Sequence, residues 1–157
     1  MGGAQVTDDL QALEGWAAGL LTQLEPAARG KLARELGQAL RRSQQKRITA
    51  QRNPDGSKYT PRKQRDLRGK KGRIKRKGQM FQKMRAARFM KVQDSGDSIT
   101  VGFTGRVARI ARVHQYGLKD RAERGATTVS YRQRRLLGLT NDEMEMIREG
   151  LLAHLGP

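Results

Sequence analysis

Over the first fifty positions the apolar residues recur at helical spacing. Leu10, Leu13, Ala17, Leu20, Leu21 and Leu24 share one side of a helix that Thr7 is placed to cap, with Asp8 and Asp9 in its first turn. The pattern predicts a helix from Thr7 to about Leu24 behind a disordered lead-in of residues 1–6, with Trp16 contributing to packing. Glu25-Pro26 interrupts the pattern, and Pro26 suits the first position of a second helix, where its missing N–H would have had no partner. Ala28, Leu32, Leu36 and Leu40 carry that helix to about Ile48 or Gln51. Two antiparallel helices follow, their apolar stripes packed on each other or on a neighbouring subunit.

The period shifts to two at Ile99, Val101 and Phe103, which alternate with Thr100, Gly102 and Thr104 as in a strand with one buried face. It returns to helical at Val107, Ile110, Ala111 and His114, with Arg106, Arg109 and Arg112 on the other side. Gly105 marks the corner between the two, and Gly117 is placed as a left-handed C-cap. Met80, Phe81, Met84, Ala87 and Phe89 suggest a helix over Gln79–Phe89, and Met90–Gln93 a strand pairing with Ser98–Phe103 across the turn Asp94-Ser95-Gly96-Asp97. Further on, Lys119–Gly125 reads as a loop, Thr127–Tyr131 as a short strand, and Thr140 with Glu143 as the capping box of a closing helix striped by Met144, Ile147, Leu151 and Leu155. The fold expected is α+β: an N-terminal helical pair over 1–52, a long basic loop or arm over 53–78, and over 79–157 a small antiparallel sheet, holding both Ser98–Phe103 and Thr127–Tyr131, with packed helices.

Charge sharpens the middle of this picture. The chain of 157 residues has a formal net charge of +18, and Arg41–Lys91 holds 20 basic residues against only Asp55 and Asp66, leaving 13 of each sign elsewhere. A neutral body therefore carries one basic segment, which implies a particular face or arm that meets negative charge. Asn53-Pro54-Asp55-Gly56 opens it as a turn. From Lys58 to Gly78 the apolar residues are Tyr59, Leu67 and Ile74, too few to offset the entropy of ordering the segment by burial alone.

Candidate chemistry is thin. The chain has no cysteine, which removes disulfides, thiolate metal sites and cysteine nucleophiles together. His114 lies inside an apolar helix pattern and reads as a packed or hydrogen-bonded residue rather than a base or ligand. Asp94 and Asp97 could be offered as a metal pair, but Asp-Ser-Gly-Asp is the chemistry of a hairpin turn, and no phosphate-cradling glycine motif is present. No enzyme, cofactor or metal is expected, nor a membrane span, since no apolar run approaches the roughly 18 residues one needs. The basic segment itself, Arg62, Lys63, Arg65, Arg68, Lys70, Lys71, Arg73, Lys75, Arg76 and Lys77, has the density of a phosphate-binding arm but almost no interleaved aromatics for stacking single-stranded bases.

Three stretches together resemble the phage virion morphogenesis family of contractile-tailed temperate phages. They are Phe103-Thr104-Gly105-Arg106 through Ala108 to Leu118; Gln51 to Tyr59 with Pro61-Arg62-Lys63; and Leu136-Leu137-Gly138-Leu139-Thr140. They span roughly residues 48–155 in the family's order and spacing. The resemblance marks Phe103, Gly105, Arg106, Arg109, His114, Gln115, Tyr116 and Gly117 as the centre of the family motif. It also implies a proline after Tyr131, where this sequence has Arg132. It implies a structural role in the virion: a tail completion or neck protein, assembled in the host cytoplasm, that forms a homo-oligomeric ring of six copies at the head-proximal end of the tail. Such a protein meets other neck and tail proteins and enables head-tail joining. The basic segment would then contact a neighbouring protein or line the passage of the DNA. A nucleic-acid-binding protein that uses segment 41–91 is the alternative of a different class.

Overall fold

Helix α1 (Gly2–Leu21) begins earlier than Thr7. Once the periodic segment has nucleated a helix, each preceding residue adds one hydrogen bond for one residue fixed, and nothing in Gly2–Val6 interrupts that extension. The helix ends at Leu21 in a tightened turn, where the N–H groups of Gln23 and Leu24 donate to the carbonyls of Leu20 and Leu21. Pro26 then opens α2 (Pro26–Thr49), as its missing N–H favours. These elements come from a computed structural model that describes residues 2–62, 78–95, 98–121 and 124–155, with side chains from residue 8 onward.

The remaining elements are β1 (Met90–Asp94), β2 (Ile99–Phe103), α3 (Arg106–Tyr116), β3 (Lys119–Arg121), β4 (Thr128–Ser130) and α4 (Asn141–His154). β1 and β2 form the expected antiparallel hairpin, with Met90 opposite Phe103 and Asp94 opposite Ile99. Its turn is closed by the Ser95 N–H donating to the Ser98 carbonyl at 3.1 Å, while Gly96 and Asp97 lie outside the described residues. The fold is α+β, with the N-terminal helical pair expected.

Three expectations change. The strand near Thr128 does not join β2; it pairs antiparallel with β3 in a separate two-stranded sheet, so Lys119–Arg121 is a strand rather than the start of a loop. Strand β2 leads straight into α3, and Gly117 reverses the chain before β3, which leaves β3 only β4 to pair with. Second, Gln79–Phe89 is a series of tight turns and not a helix. Phe81 sits at φ +67°, outside the right-handed helical region, and Met84, Ala86 and Phe89 donate to carbonyls three residues back. Third, the stripe of α1 does not simply face that of α2. α1 packs on α4, and its Ala17 and Leu21 join Ile147 of α4 around Leu32, Leu36 and Leu151. Trp16 remains 39% exposed.

Helix α2 is the spine. It packs on both strands of the first hairpin and on α4. Those crossings are close because glycine is present at the contact. A Cβ on Gly37 would collide with Val92 Cγ1, and one on Gly150 would stand 2.6 Å from Leu36 Cδ2. Two apolar clusters flank this spine. One gathers Leu32, Leu36 and Leu151, and the other gathers Ile48, Tyr59, Met80, Met84, Met90, Val107, Ala111 and Leu136. The second cluster brings residues 59 and 80, on either side of the basic segment, into one core.

Candidate functional site at the root of the basic segment

Helix α3 ends where three chain segments meet, and Gln115 fastens two of them. Its Oε1 accepts from the N–H groups of Leu136 (2.8 Å) and Leu137 (3.0 Å), and its Nε2 donates to the Leu137 carbonyl at 3.0 Å. A strand-like neighbour would supply the same pattern, so the glutamine amide substitutes for a missing strand. The Asn53–Ser57 turn closes from the other side: the Arg135 N–H donates to Asn53 Oδ1 at 2.8 Å, and a Cβ on Gly138, at φ +145°, would lie 2.8 Å from Pro54 Cγ. All three stretches that carry the family resemblance thus converge on one joint.

Arg134 lies beneath this joint and is 5% exposed. Its Nε donates to the Thr60 carbonyl at 2.7 Å and its NH2 to the Pro61 carbonyl at 2.9 Å, fixing the chain just before the basic segment. NH1 donates to His114 Nδ1 at 3.2 Å and, more weakly, to the Arg132 carbonyl at 3.4 Å. A guanidinium has no acceptor site, so this contact assigns the lone pair to Nδ1 and the ring proton to Nε2. Burial, then the charges of Arg134 and Arg62, push the His114 pKa down to about 4, so the ring is neutral at physiological pH. Burial also lowers the pKa of Arg134, with Arg62 adding to it.

The far end of the segment returns to the same place. Phe81 packs edge-on against His114 (centroids 4.8 Å apart) and against Tyr59 (5.7 Å), while Tyr131 covers His114 from another side at 5.2 Å. Gln51 holds the backbone of Met80 both ways: its Oε1 accepts from the Met80 N–H at 2.8 Å and its Nε2 donates to the Met80 carbonyl at 3.0 Å. Residues 60–61 and 80–81 are therefore pinned to one rigid base, and everything between starts and finishes there.

A buried ion pair supports that base from α2. Arg47 NH1 lies 3.2 Å from both carboxylate oxygens of Glu143, which is 2% exposed, and its NH2 donates to the carbonyls of Leu136 and Gly138 at 3.3 and 3.0 Å. Glu143 also completes the capping box of α4, accepting from the Thr140 N–H at 2.9 Å while its own N–H donates to the Thr140 hydroxyl. One carboxylate thus caps a helix and neutralises one cation of the basic run.

Of the ten basic residues singled out, Arg62 is exposed beside His114, while Lys63, Arg65, Arg68, Lys70, Lys71, Arg73, Lys75, Arg76 and Lys77 lie outside the described residues. The family-motif residues divide into two groups. Phe103, His114 and Gln115 face inward, Gly105 (φ +67°) turns the chain into α3, and Gly117 (φ +63°) caps it. Arg106, Arg109 and Tyr116 face outward, Tyr116 being 64% exposed. Sequence reasoning did not single out Arg134, Arg47 or the second role of Glu143. The available signal for Arg134 was a run of arginines beside an apolar Leu-Leu pair, which does not say which arginine turns inward. Among the described residues no cluster of three or more His, Asp or Glu side chains could hold a metal ion, and no helix is long and apolar enough to cross a membrane.

The family model for phage virion morphogenesis matches residues 8–156. The tail completion protein S of Escherichia phage P2 is 40% identical over 149 residues, which cover 94% of this chain and 98% of that protein. No solved structure matches the chain. The match extends over both core clusters, the α3 motif and the joint that roots the basic segment, and by it the chain belongs to the phage virion morphogenesis family.

Proposed function

We propose that this chain is a structural, non-catalytic component of a phage tail that completes its head-proximal end and makes it competent to join a DNA-filled head. The similarity to a tail completion protein over almost the whole of both chains supports the assembly role. Six copies in a ring would match the symmetry of a contractile tail, and the protein would reside in the virion at the tail or neck after assembly in the host cytoplasm. The observation that carries the mechanism is the anchoring of residues 60–61 and 80–81 on one buried base. With both flanks held on one rigid body, the charge of the basic segment is tied to that side of the molecule. Around a ring, that charge forms a collar whose weak polar contacts act together. The collar meets an acidic surface of a neighbouring neck or tail protein.

Complementation tests this reading. A phage lacking the gene is supplied with the chain carrying Lys70→Ala, Lys71→Ala, Lys75→Ala, Arg76→Ala and Lys77→Ala. The expected result is free tails and filled heads at a fraction of wild-type joining, with normal protein abundance. Joining at wild-type level with normal DNA delivery would remove the basic segment from the mechanism. If instead the loop lines the DNA passage, heads and tails of this variant join but DNA delivery fails. The wild-type protein would then bind any duplex with an affinity that falls steeply with salt.

A further inference from the structure

Helix α3 keeps a charged and apolar face that the described residues leave uncovered. Arg106, Arg109 and Arg112 are exposed, Ile110 is 46% exposed, Tyr116 is 64% and Leu118, just past the cap, is 37%. Within this face Arg109, Arg112 and Tyr116 stand at i, i+3 and i+7, one stripe about 10 Å long. Arginine and tyrosine around a small apolar centre are the composition of a protein interface and not of an ordinary solvated surface. Among the described residues the acidic contact made to it is Asp120 of β3, which pairs with Arg109.

Helix α4 carries a complementary stripe. Glu145, Glu149 and Leu152 stand at i, i+4 and i+7 on its outward side, with Leu152 55% exposed. We propose that the outward face of α3 docks on the outward face of α4 of a second copy of this chain, the two helices running parallel. In that register Arg109 and Arg112 meet Glu145 and Glu149, and Tyr116 meets Leu152. An antiparallel register would keep Arg112 beside Glu149 but set Tyr116 beside Glu145 and Arg109 beside Leu152, which loses the other two matches. The in-chain pairs Arg109–Asp120 and Glu145–Arg148 do not oppose this, since exposed ion pairs contribute little and can exchange partners.

The same charges exclude a two-fold dimer through either face, because α3 on α3 sets arginine against arginine and α4 on α4 sets glutamate against glutamate. Two different complementary faces on one chain make the contact head-to-tail, and a head-to-tail contact propagates until it closes into a ring or continues as a filament. This inference rests on the ring proposed above and supplies its joint.

The test is sedimentation velocity on the full chain at low and high salt, with four variants. The wild-type protein sediments as an oligomer at low salt. Arg112→Glu and Glu149→Arg each reduce it to monomer, and the double variant Arg112→Glu/Glu149→Arg restores the oligomer because each interface again pairs opposite charges. Tyr116→Ala raises the dissociation constant about 10-fold or more. At high salt and low concentration, where the wild type is monomeric as well, thermal melts of the variants match it, since these positions lie outside the core. An oligomer that survives both single reversals overturns the assigned faces while sparing the ring, as does a double variant that stays monomeric. A wild-type chain that is monomeric throughout overturns the faces and the self-assembled ring together. Intact oligomers whose single reversals abolish head-tail joining would assign the α3 face to a different virion protein, against the proposal.

Discussion

Gln115 satisfies three backbone groups of a segment more than twenty residues away, and neither an acid nor an apolar residue could replace it. A carboxylate would accept the N–H bonds of Leu136 and Leu137 but could not donate to the Leu137 carbonyl, and Leu136 is fully buried. Gln115→Ala should lower stability by about 2–4 kcal/mol, because two buried N–H groups and a carbonyl lose their partner together. Urea unfolding of the purified chain measures it. His114 gives a second prediction, with a definite sign. Its folded pKa of about 4 lies below the ordinary 6.5, so the unfolded chain binds the proton first, and stability falls as pH drops from about 6.5 to about 4. The loss is about 2 kcal/mol after allowance for the ring's partial contact with water. His114→Gln, which can still accept from Arg134, should flatten that slope. An unchanged slope would mean the ring is not held neutral. At the other side of the joint, Glu143→Gln keeps the shape of the cap but leaves the Arg47 charge buried without its counter-ion, a loss of about 3–5 kcal/mol on the same unfolding assay.

At the scale of elements, much was legible where one physical signal dominated. The β1–β2 hairpin, α3 between its two glycines, the proline start of α2 and the capping box of α4 each follow from local pattern, and the structure places them within a residue or two. The failures share a cause. Gln79–Phe89 has helical apolar spacing, but tertiary contacts hold it in turns: Gln51 holds the backbone of Met80, and Phe81 turns to positive φ to pack on Tyr59 and His114. Spacing records which side chains are buried and not which backbone shape buries them. The joint was similarly hidden, since Arg134 is one of three arginines in Arg132–Arg135 and the Thr60 and Pro61 carbonyls it binds lie more than seventy positions away. The seating of α2 on the hairpin predicts a compensating pair. Gly37→Ala should destabilise by about 1–2 kcal/mol despite alanine's better helix propensity, because the new methyl meets Val92 Cγ1. Val92→Ala in the same chain should relieve the clash, so that the double variant is more stable than the sum of the single effects predicts.

At the scale of the whole molecule, the body and the basic segment differ in charge. Outside Arg41–Lys91 the positive and negative residues balance, and the outward face of α3 carries Arg106, Arg109 and Arg112 while that of α4 carries Glu145 and Glu149. The proposed association of copies would draw on the α3 and α4 faces, and the proposed role of the basic segment is to meet a partner of opposite charge. The most direct measurement is electron microscopy of lysates from the phage that encodes this chain, with its gene deleted. Filled heads beside unattached or misterminated tails, restored to joined virions when the wild-type chain is supplied, are the predicted result. Normal virions in the absence of the gene would contradict the assembly role.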